Sequence, residues 1–296
     1  MRKNIELSII IVHFNTKDLT AACLASLKRT KKTSDRWEII VVDNGSDDNL
    51  EIYLNGLGKK DPFYRDIQFI TNAENLGFSK ANNIGIKRSK GAYVLLLNSD
   101  TEVRQGAIQT MLQFMNDHPR AGLATAALEL SDGSIDPASH RGFPGPWASF
   151  TYLVGLEKVF PTLPVFSQYH MGYKNMHVAH EIDCPSGAFF LSRRSVIDRV
   201  GYLDEDFFMY GEDIDWAYRV KRAGWEVWFN PEAIVVHKKK QSGRAHGDAE
   251  LRKQTQKYFY ETMVLFYEKH YKKQYPVILY YVIRMAVKAA DLFTVR

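Results

Sequence analysis

The chain has 296 residues, 45% of them hydrophobic and 25% charged, with a formal net charge of +5. Such a composition excludes a disordered or collagen-like chain and suits one large α/β domain or two tightly joined halves. The two cysteines, Cys23 and Cys184, make neither a disulfide framework nor a metal knuckle and fit a reducing compartment.

The first apolar run, "LSIIIVHF", is β-branched and nearly continuous, the pattern of a strand covered on both faces. It is only strand-length and carries His13, so it does not read as a signal peptide. Asp18 starts a helix with Leu19, Cys23 and Leu27 on its apolar face. "WEIIVVDNGS" repeats the logic as a second buried strand ending at Asp43, and "IQFIT" is a short third strand. "SKANNIGIKRS" predicts a helix with Gly91 in its end region, and "AYVLLLNSD" a fourth buried strand ending at Asp100. Strand and helix thus alternate through the first hundred residues, which predicts a mostly parallel sheet flanked by helices. Ligands of such sheets sit beyond the carboxyl ends of the strands, where Phe14, Asn15, Asp43 and Asp100 fall. No G-x-G-x-x-G follows the first strand, which argues against a dinucleotide enzyme.

From Ser131 to Glu181 the chain is rich in Gly, Pro, His and aromatic residues and predicts an irregular acceptor-side loop or lid. "GAFFLSRRSVIDRVG" predicts a strand then a helix, and "YGEDIDWAYRVKRAG" a helix capped by Gly224. "EVWFN" and "AIVVH" predict two short strands, and the remainder is helical and aromatic. The residues from His237 onward hold thirteen Lys/Arg against five Asp/Glu, so the excess positive charge sits at this end. "PVILYYVIRMAVKAADLF" is at the short end for a bilayer span, and Arg284, Lys288 and Asp291 fall on one helical face. An interfacial helix on an anionic leaflet is the expected use; a core or dimer helix is the alternative.

Several residues carry candidate chemistry, each with a bland alternative. Asp100 past a buried strand can take a hard cation, and Asn98 two residues earlier points the same way; Asp100 could equally cap a helix. Asp43 can accept the imide N–H of a uracil or thymine under the Phe14 ring, or simply close an Asx turn. Glu212-Asp213 at a helix start can accept a proton from an attacking hydroxyl, or merely complement the helix dipole, as Asp215 does. His237 can ligate the same cation as Asp100, and Lys238, Lys239, Lys240, Ser242 and Arg244 can hold a diphosphate or form a solvated basic loop.

The ordered series "SIIIVHFN", "VVDNGS", "NLGFSKANNIG", "LLLNSD", "SGAFFLSRR", "GYLDEDFFMYGEDIDWAYRVKRAGW" and "VVHKKKQS" resembles family 2 glycosyltransferases, nearest the bacterial rhamnosyltransferase-like branch. The resemblance runs from about Leu7 to Ser242. It implies a GT-A fold over residues 1–245, with a nucleotide-binding half (1–102), a donor-sugar and acceptor half (103–245), and a C-terminal helical extension (246–296). It implies Mn2+ or Mg2+ on Asp100 and His237, Asp213 as general base, and Glu212 shaping the acceptor site. Phe14, Asn15, Asp43, Asn72, Gly77, Asn82, Asn83 and Asn98 would line the nucleotide-sugar cleft, Gly187 and Ala188 border the donor sugar, and Ser242 touch phosphate. The sequence departs from the family pattern at Asn98, where the first acid of D-x-D is expected, at Ser99, where Pro is frequent, and at Lys240, where Gly is usual. The implied reaction is an inverting transfer from a dTDP- or UDP-sugar, dTDP-rhamnose foremost, to a saccharide acceptor linked to polyprenyl diphosphate. Its implied setting is cell-surface polysaccharide synthesis in the cytoplasm, peripheral on the inner face of the plasma membrane. Nucleic acid is not an expected partner. The competing readings are a sugar nucleotidyltransferase, whose Gly- and Lys/Arg-rich first loop "HFNTKDL" does not supply, and a glycan-binding module without activity.

Overall fold

The computed structural model describes residues 5–238 and 249–294. In chain order the elements are β1 (Leu7–His13), α1 (Lys17–Thr30), β2 (Trp37–Asp43), α2 (Leu50–Gly58), α3 (Pro62–Arg65), β3 (Gln68–Thr71), α4 (Phe78–Arg88) and β4 (Tyr93–Leu97). They continue with β5 (Thr101–Val103), α5 (Ala107–Asp117), β6 (Ala121–Glu129), α6 (Pro146–Leu153), α7 (Leu156–Val159), β7 (His180–Glu181), β8 (Phe189–Arg193) and α8 (Arg194–Val200). The last are α9 (Glu212–Arg222), β9 (Glu226–His237), α10 (Ala249–His270) and α11 (Val277–Thr294).

The described strands form one nine-stranded sheet in the order β3-β2-β1-β4-β8-β6-β9-β5, with β7 on β9. The alternating first hundred residues give the expected parallel half: β1 pairs in parallel with β2 and β4, and β2 with β3. Beyond β4 the sheet is mixed, because β8 runs antiparallel to β4 and β6 while β9 runs parallel to β6. Pleat alternation divides the core. Leu7, Ile9 and Ile11 pack with α1 and α5, and Ile10 packs with α4, α8 and α9 on the opposite face.

The sheet must also curl. Only Asn98, Ser99 and Asp100 link β4 to β5, which lie four places apart in the sheet order. The four steps from Leu97 to Thr101 reach at most about 14 Å. Four flat strand spacings need about 19 Å. Rolling the far edge back toward β4 closes the gap, and it carries Asp100 to the end of β9, where Thr101 pairs with His237.

Two expectations change in detail. "EVWFN" and "AIVVH" are one strand, β9, interrupted by a bulge: Asn230 pairs with Ala126 and Ile234 with the next residue, Ala127. Pro231 has no N–H to give to the ladder, so the chain loops out there and resumes. The segments that become α5 and β6 carried no expectation. β6 is mostly Ala, Gly and Thr, with Leu123 and Leu128 its only bulky apolar residues, so it lacks the continuous bulk of the other buried strands.

The 131–181 segment is irregular, with the short α6 and α7, as its composition predicts. The C-terminal helices are not a loose tail. Phe266, Tyr267, Tyr271 and Tyr280 form a separate apolar cluster with Phe207, and His270 Nε2 lies 2.7 Å from Asp215 Oδ1 on α9. Asp215 therefore does more than complement a dipole: it anchors α10 and also accepts from Arg219 at 2.8 Å.

Candidate active site

One edge of the sheet collects the ends of β1, β2, β4, β6 and β9 and the start of β8. At its centre Asp100 is buried and lies 3.4 Å from His237 Nε2. Strand β5 follows Asp100, so the helix-cap alternative does not apply. The other ring nitrogen of His237 faces Asp136 Oδ2 at 3.8 Å, an ion-pair distance and not a hydrogen bond. Burial pulls the imidazole pKa down, but the two carboxylates outweigh it and raise it to about 9. Among the described residues no three His, Cys, Asp or Glu side chains close into a ready metal cluster. The donor set still suits a hard divalent cation whose remaining ligands come from a substrate. It offers one carboxylate, one imidazole and the buried Asn98 Oδ1, which has no hydrogen-bond partner.

Asn98 N–H donates to Ala188 O at 3.1 Å, which ties this cluster to the run entering β8. A side chain at Gly187 would grow against Asp213 and Glu212, its first atom 3.8 Å from each, so glycine keeps the space before both acids open. Asp213 Oδ2 accepts from Gly187 N–H at 3.2 Å and from Arg141 Nη2 at 2.5 Å, while Oδ1 accepts from Ile214 N–H at 2.8 Å. Glu212 is buried beside it. Burial first, and the Asp213 charge second, push its carboxyl up to about 8. Glu212 Oε2, Arg141 Nε and His237 Nδ1 are buried without hydrogen-bond partners. With Asn98 Oδ1, these orphans all belong to residues joined by the contacts just described, which marks a site built for something polar.

The raised Glu212 carboxyl has a consequence for stability. A folded pKa above the unfolded one favours folding at low pH, and that advantage is lost as pH rises through the folded value. Stability should therefore decline between about pH 4.5 and pH 8 through this group. Glu212→Gln is expected to flatten the decline and to raise the melting temperature at pH 8–9, as read by thermal melts across pH. A variant whose melting curve keeps the wild-type pH dependence would refute this.

The nucleotide-side residues meet at the ends of β1 to β3. Phe14 is exposed and Asn15 takes a left-handed backbone; the loop is tied to its neighbour by Asn15 Oδ1, which accepts from Asp47 N–H. Asp43 Oδ1 accepts from Ser46 N–H at 3.0 Å, so the Asx turn is present whatever else the carboxylate does. Asn72 Nδ2 donates to Asn44 Oδ1, and Asn44 in turn donates to Asn75, an amide network the sequence reading did not single out. Gly77 has φ +85, and a Cβ there would lie 2.7 Å from Phe208 O. Asn82 and Asn83 are buried on α4. Asn82 donates to Phe78 O. The Asn83 amide is spent on residues 203–205, donating to Leu203 O at 2.9 Å and to Glu205 Oε1 at 3.0 Å and accepting from Leu203 N–H at 3.0 Å. It positions the 203–208 loop leading to Glu212. Ser242, with Lys239, Lys240 and Arg244, lies outside the described residues, and Lys238 pairs with Glu102.

Comparison with known proteins then decides the family. The model described as "Glycosyl transferase family 2" matches residues 8–201. The chain belongs to glycosyl transferase family 2. Among curated family 2 relatives, an N-acetylglucosaminyl-diphospho-decaprenol L-rhamnosyltransferase of Mycobacterium tuberculosis is 27% identical over 248 residues, covering 80% of this chain and 77% of its own length. A low-salt glycan biosynthesis hexosyltransferase of Haloferax volcanii is 27% identical over 222 residues, 73% of this chain. The match spans only 62% of that relative's own length. The glycosyltransferase fold is matched by a Pyrobaculum calidifontis mannosyltransferase solved with GDP-Man and Mn2+. Its TM-score is 0.64 at 14% identity, over 99% of this chain and 73% of that one. GalNAc-T7 with UDP, GalNAc and Mn2+ gives a TM-score of 0.62 at 15% identity, over 93% and 52%. The GT-A architecture implied by the sequence is thus the fold of this family 2 chain.

Proposed function

We propose that the chain is an inverting hexosyltransferase that moves a sugar, rhamnose from dTDP-rhamnose foremost or a hexose from a UDP-sugar, to a lipid-linked saccharide in cell-surface polysaccharide synthesis. The observation that carries this reading is the placement of Asp213 before Gly187, on the same sheet edge as the Asp100–His237 pair. A carboxylate thus faces the space next to the candidate cation pair. In the proposed step Asp213 takes the acceptor hydroxyl proton as that oxygen bonds to the anomeric carbon. The bond from that carbon to the diphosphate oxygen breaks, and its electron pair leaves with the nucleotide. One displacement from the opposite face inverts the centre and needs no enzyme nucleophile. Asp100 and His237 would hold Mn2+ or Mg2+, which when bound supplies the charge neutralisation that a departing diphosphate needs. Asp43 and Phe14 would receive the pyrimidine, whose imide edge is shared by uracil and thymine.

The M. tuberculosis relative's diphospho-decaprenol acceptor supports a lipid-linked acceptor here. So does an open groove of about 800 Å³ between α9 and α10, lined by Phe143, Tyr218, Lys221, Arg222, Lys269 and Lys273. Its aromatic walls, with Arg222 and Lys273 on the rim, suit an anionic carrier, while Lys221 is paired with Asp183 and Lys269 with Asp204 and Asp206.

The test is nucleotide release from a panel of dTDP-, UDP- and GDP-sugars with Mn2+ or Mg2+. Metal-dependent release from dTDP-rhamnose or one UDP-sugar, with acceptor-dependent inversion read by NMR of the product, is the expected result. A protein that binds neither dTDP nor UDP in calorimetry with Mn2+ would refute the reading.

Among the described residues no helix is long and apolar enough to cross a membrane. Helix α11 nevertheless exposes Val277, Ile278, Tyr281, Val282 and Met285. This supports an interfacial helix lying on an anionic leaflet, with Lys272, Lys273, Arg284 and Lys288 near the headgroups. Burying each large apolar side chain contributes about 1.5–3 kcal/mol. The double substitution Ile278→Asp with Met285→Asp should lower flotation with phosphatidylglycerol vesicles by at least about tenfold while sparing nucleotide binding. Flotation unchanged by the substitutions would remove the membrane role.

A further inference from the structure

Arg141 belongs to the irregular 131–181 segment, and neither the sequence pattern nor the family resemblance singled it out. Its guanidinium is buried against the acid pair. Nη2 donates to Asp213 Oδ2 at 2.5 Å and to Pro185 O at 2.7 Å. The Arg141 and Asp213 side chains are 12% and 13% exposed. The Arg141 backbone is clamped too, donating to Cys184 O at 3.1 Å and accepting from Cys184 N–H at 2.9 Å. One side chain therefore bridges the candidate base, the run entering β8 and the acceptor-side segment.

A buried ion pair of this kind is poor evidence for stability, because desolvation of both charges opposes their attraction. It makes better sense as orientation. With Arg141 and Gly187 N–H both on Oδ2, the carboxylate cannot rotate, and Oδ1 with its single backbone donor keeps a lone pair for a further one. Charge gives a second reason. Glu212 and Asp215 on α9 stand beside Asp213, Asp183 and Cys184 approach from the run into β8, and Tyr169 approaches from the irregular segment. His270 from α10 reaches only Asp215. Arg141 is the cation in contact with Asp213 in this set; burial is the largest single effect on the guanidinium, and the Asp213 charge and hydrogen bond together with Cys184 and Tyr169 outweigh it. Two adjacent buried carboxyls compete for a proton, and a cation on one decides which stays ionised.

We propose that Arg141 is the positioning residue of the transfer, holding the Asp213 carboxylate ionised and aimed beside Gly187 and tying it to the acceptor-side segment. This rests on Asp213 being the base, and two independent readouts separate the two claims.

The first readout needs no substrate. In full-length protein labelled with [4-13C]aspartate, the Asp213 carboxyl signal is the one lost in Asp213→Asn. Its titration midpoint should rise by about one pH unit or more in Arg141→Met and stay near wild type in Arg141→Lys, which keeps the cation. An unmoved midpoint in Arg141→Met overturns the proposal. If that variant does not fold, Arg141→Gln replaces it, with the same outcomes.

The second readout is kinetic, with the donor that nucleotide release identifies. Arg141→Met should lower kcat by about 100-fold and move the acidic limb of its pH profile upward, with the donor KM within about twofold. Arg141→Lys should recover at least about a tenfold part of that loss, and Arg141→Met in Asp213→Asn should cost nothing further. Additive losses, or a donor KM that rises as kcat falls, would mean that Arg141 only supports the fold and would overturn the proposal. Full activity in Asp213→Asn would instead refute the base assignment, and the proposed role of Arg141 in transfer with it.

Discussion

Asp213→Asn should lower kcat by about 10²–10⁴-fold, the range that a positioned general base supplies. Nucleotide binding should stay within about twofold, because the hydrogen bonds of Asp213 run to Arg141, Gly187 and Ile214, away from the ends of β1 to β3. The amide is the informative replacement because it conserves shape. Its oxygen can still accept from Arg141 and Gly187 N–H, but its NH2 then faces the Ile214 N–H that Oδ1 now satisfies. One donor at the first turn of α9 loses its partner and the buried guanidinium loses its counter-charge. A stability loss of about 1–3 kcal/mol should therefore accompany the rate loss. Steady-state kinetics, calorimetry with nucleotide and thermal melts together separate the two effects. A variant that binds nucleotide, melts near the wild type and still turns over at more than a tenth of its rate would remove Asp213 from the chemistry. Glu212→Gln is the paired control: Glu212 faces the same opening at Gly187, but its raised carboxyl is protonated near neutral pH and cannot take a proton there.

Asp100→Ala should abolish metal-dependent nucleotide binding, weakening it at least about 100-fold in Mn2+ while leaving the metal-free component unchanged. Asp100 supplies the one carboxylate of the candidate donor set, so its removal leaves only the neutral donors His237 and Asn98 Oδ1 beside the diphosphate, a poor set for a hard cation. The backbone should tolerate the change. The Asp100 carbonyl accepts from Lys238 N–H at 2.9 Å, and Thr101 pairs with His237, so the turn between β4 and β5 is held by main chain as well as by the carboxylate. Asp136 gives a graded version of the experiment. It faces the far nitrogen of His237 and donates nothing to the cation itself, so Asp136→Asn should cost about 10–100-fold in metal affinity, the usual effect of a group that orients a ligating histidine. Manganese titrations of nucleotide binding, followed by calorimetry or electron paramagnetic resonance, read both variants. Retention of full Mn2+-dependent binding in Asp100→Ala would place the cation elsewhere or exclude it.

Much of the site was legible before any fold was known, for a local reason. Buried parallel strands announce themselves as continuous apolar runs, and ligands gather where those runs stop. Asp43, Asn98 and Asp100 could be chosen because they follow such runs, and Glu212 and Asp213 because they open a helix with a clear period. Where the pattern was faint the reading was silent. β6 is mostly Ala, Gly and Thr, and its place between β8 and β9 is a matter of sheet order, which no residue period encodes. Asn83 shows the limit from the other side. Its place in a family motif drew attention to the cleft, whereas its amide is engaged by Leu203 and Glu205, 120 and 122 residues away.

The sequence by itself determined the class of fold, the strand ends where the candidate residues fall and the acid pair on α9, because these depend on spacings of two and 3.6 residues along one segment. Only the tertiary structure decided where the acids are placed. The short link after β4 forces the sheet to curl, and that curl brings Asp100 to His237. The pairing of Arg141 with Asp213 joins residues 72 apart, one of them in a segment with no period at all. The bond between His270 and Asp215 fastens α10 to the helix that carries the acids, across 55 residues. Such contacts depend on the chain's path in space and on which charges are buried together, and neither quantity is written in local order.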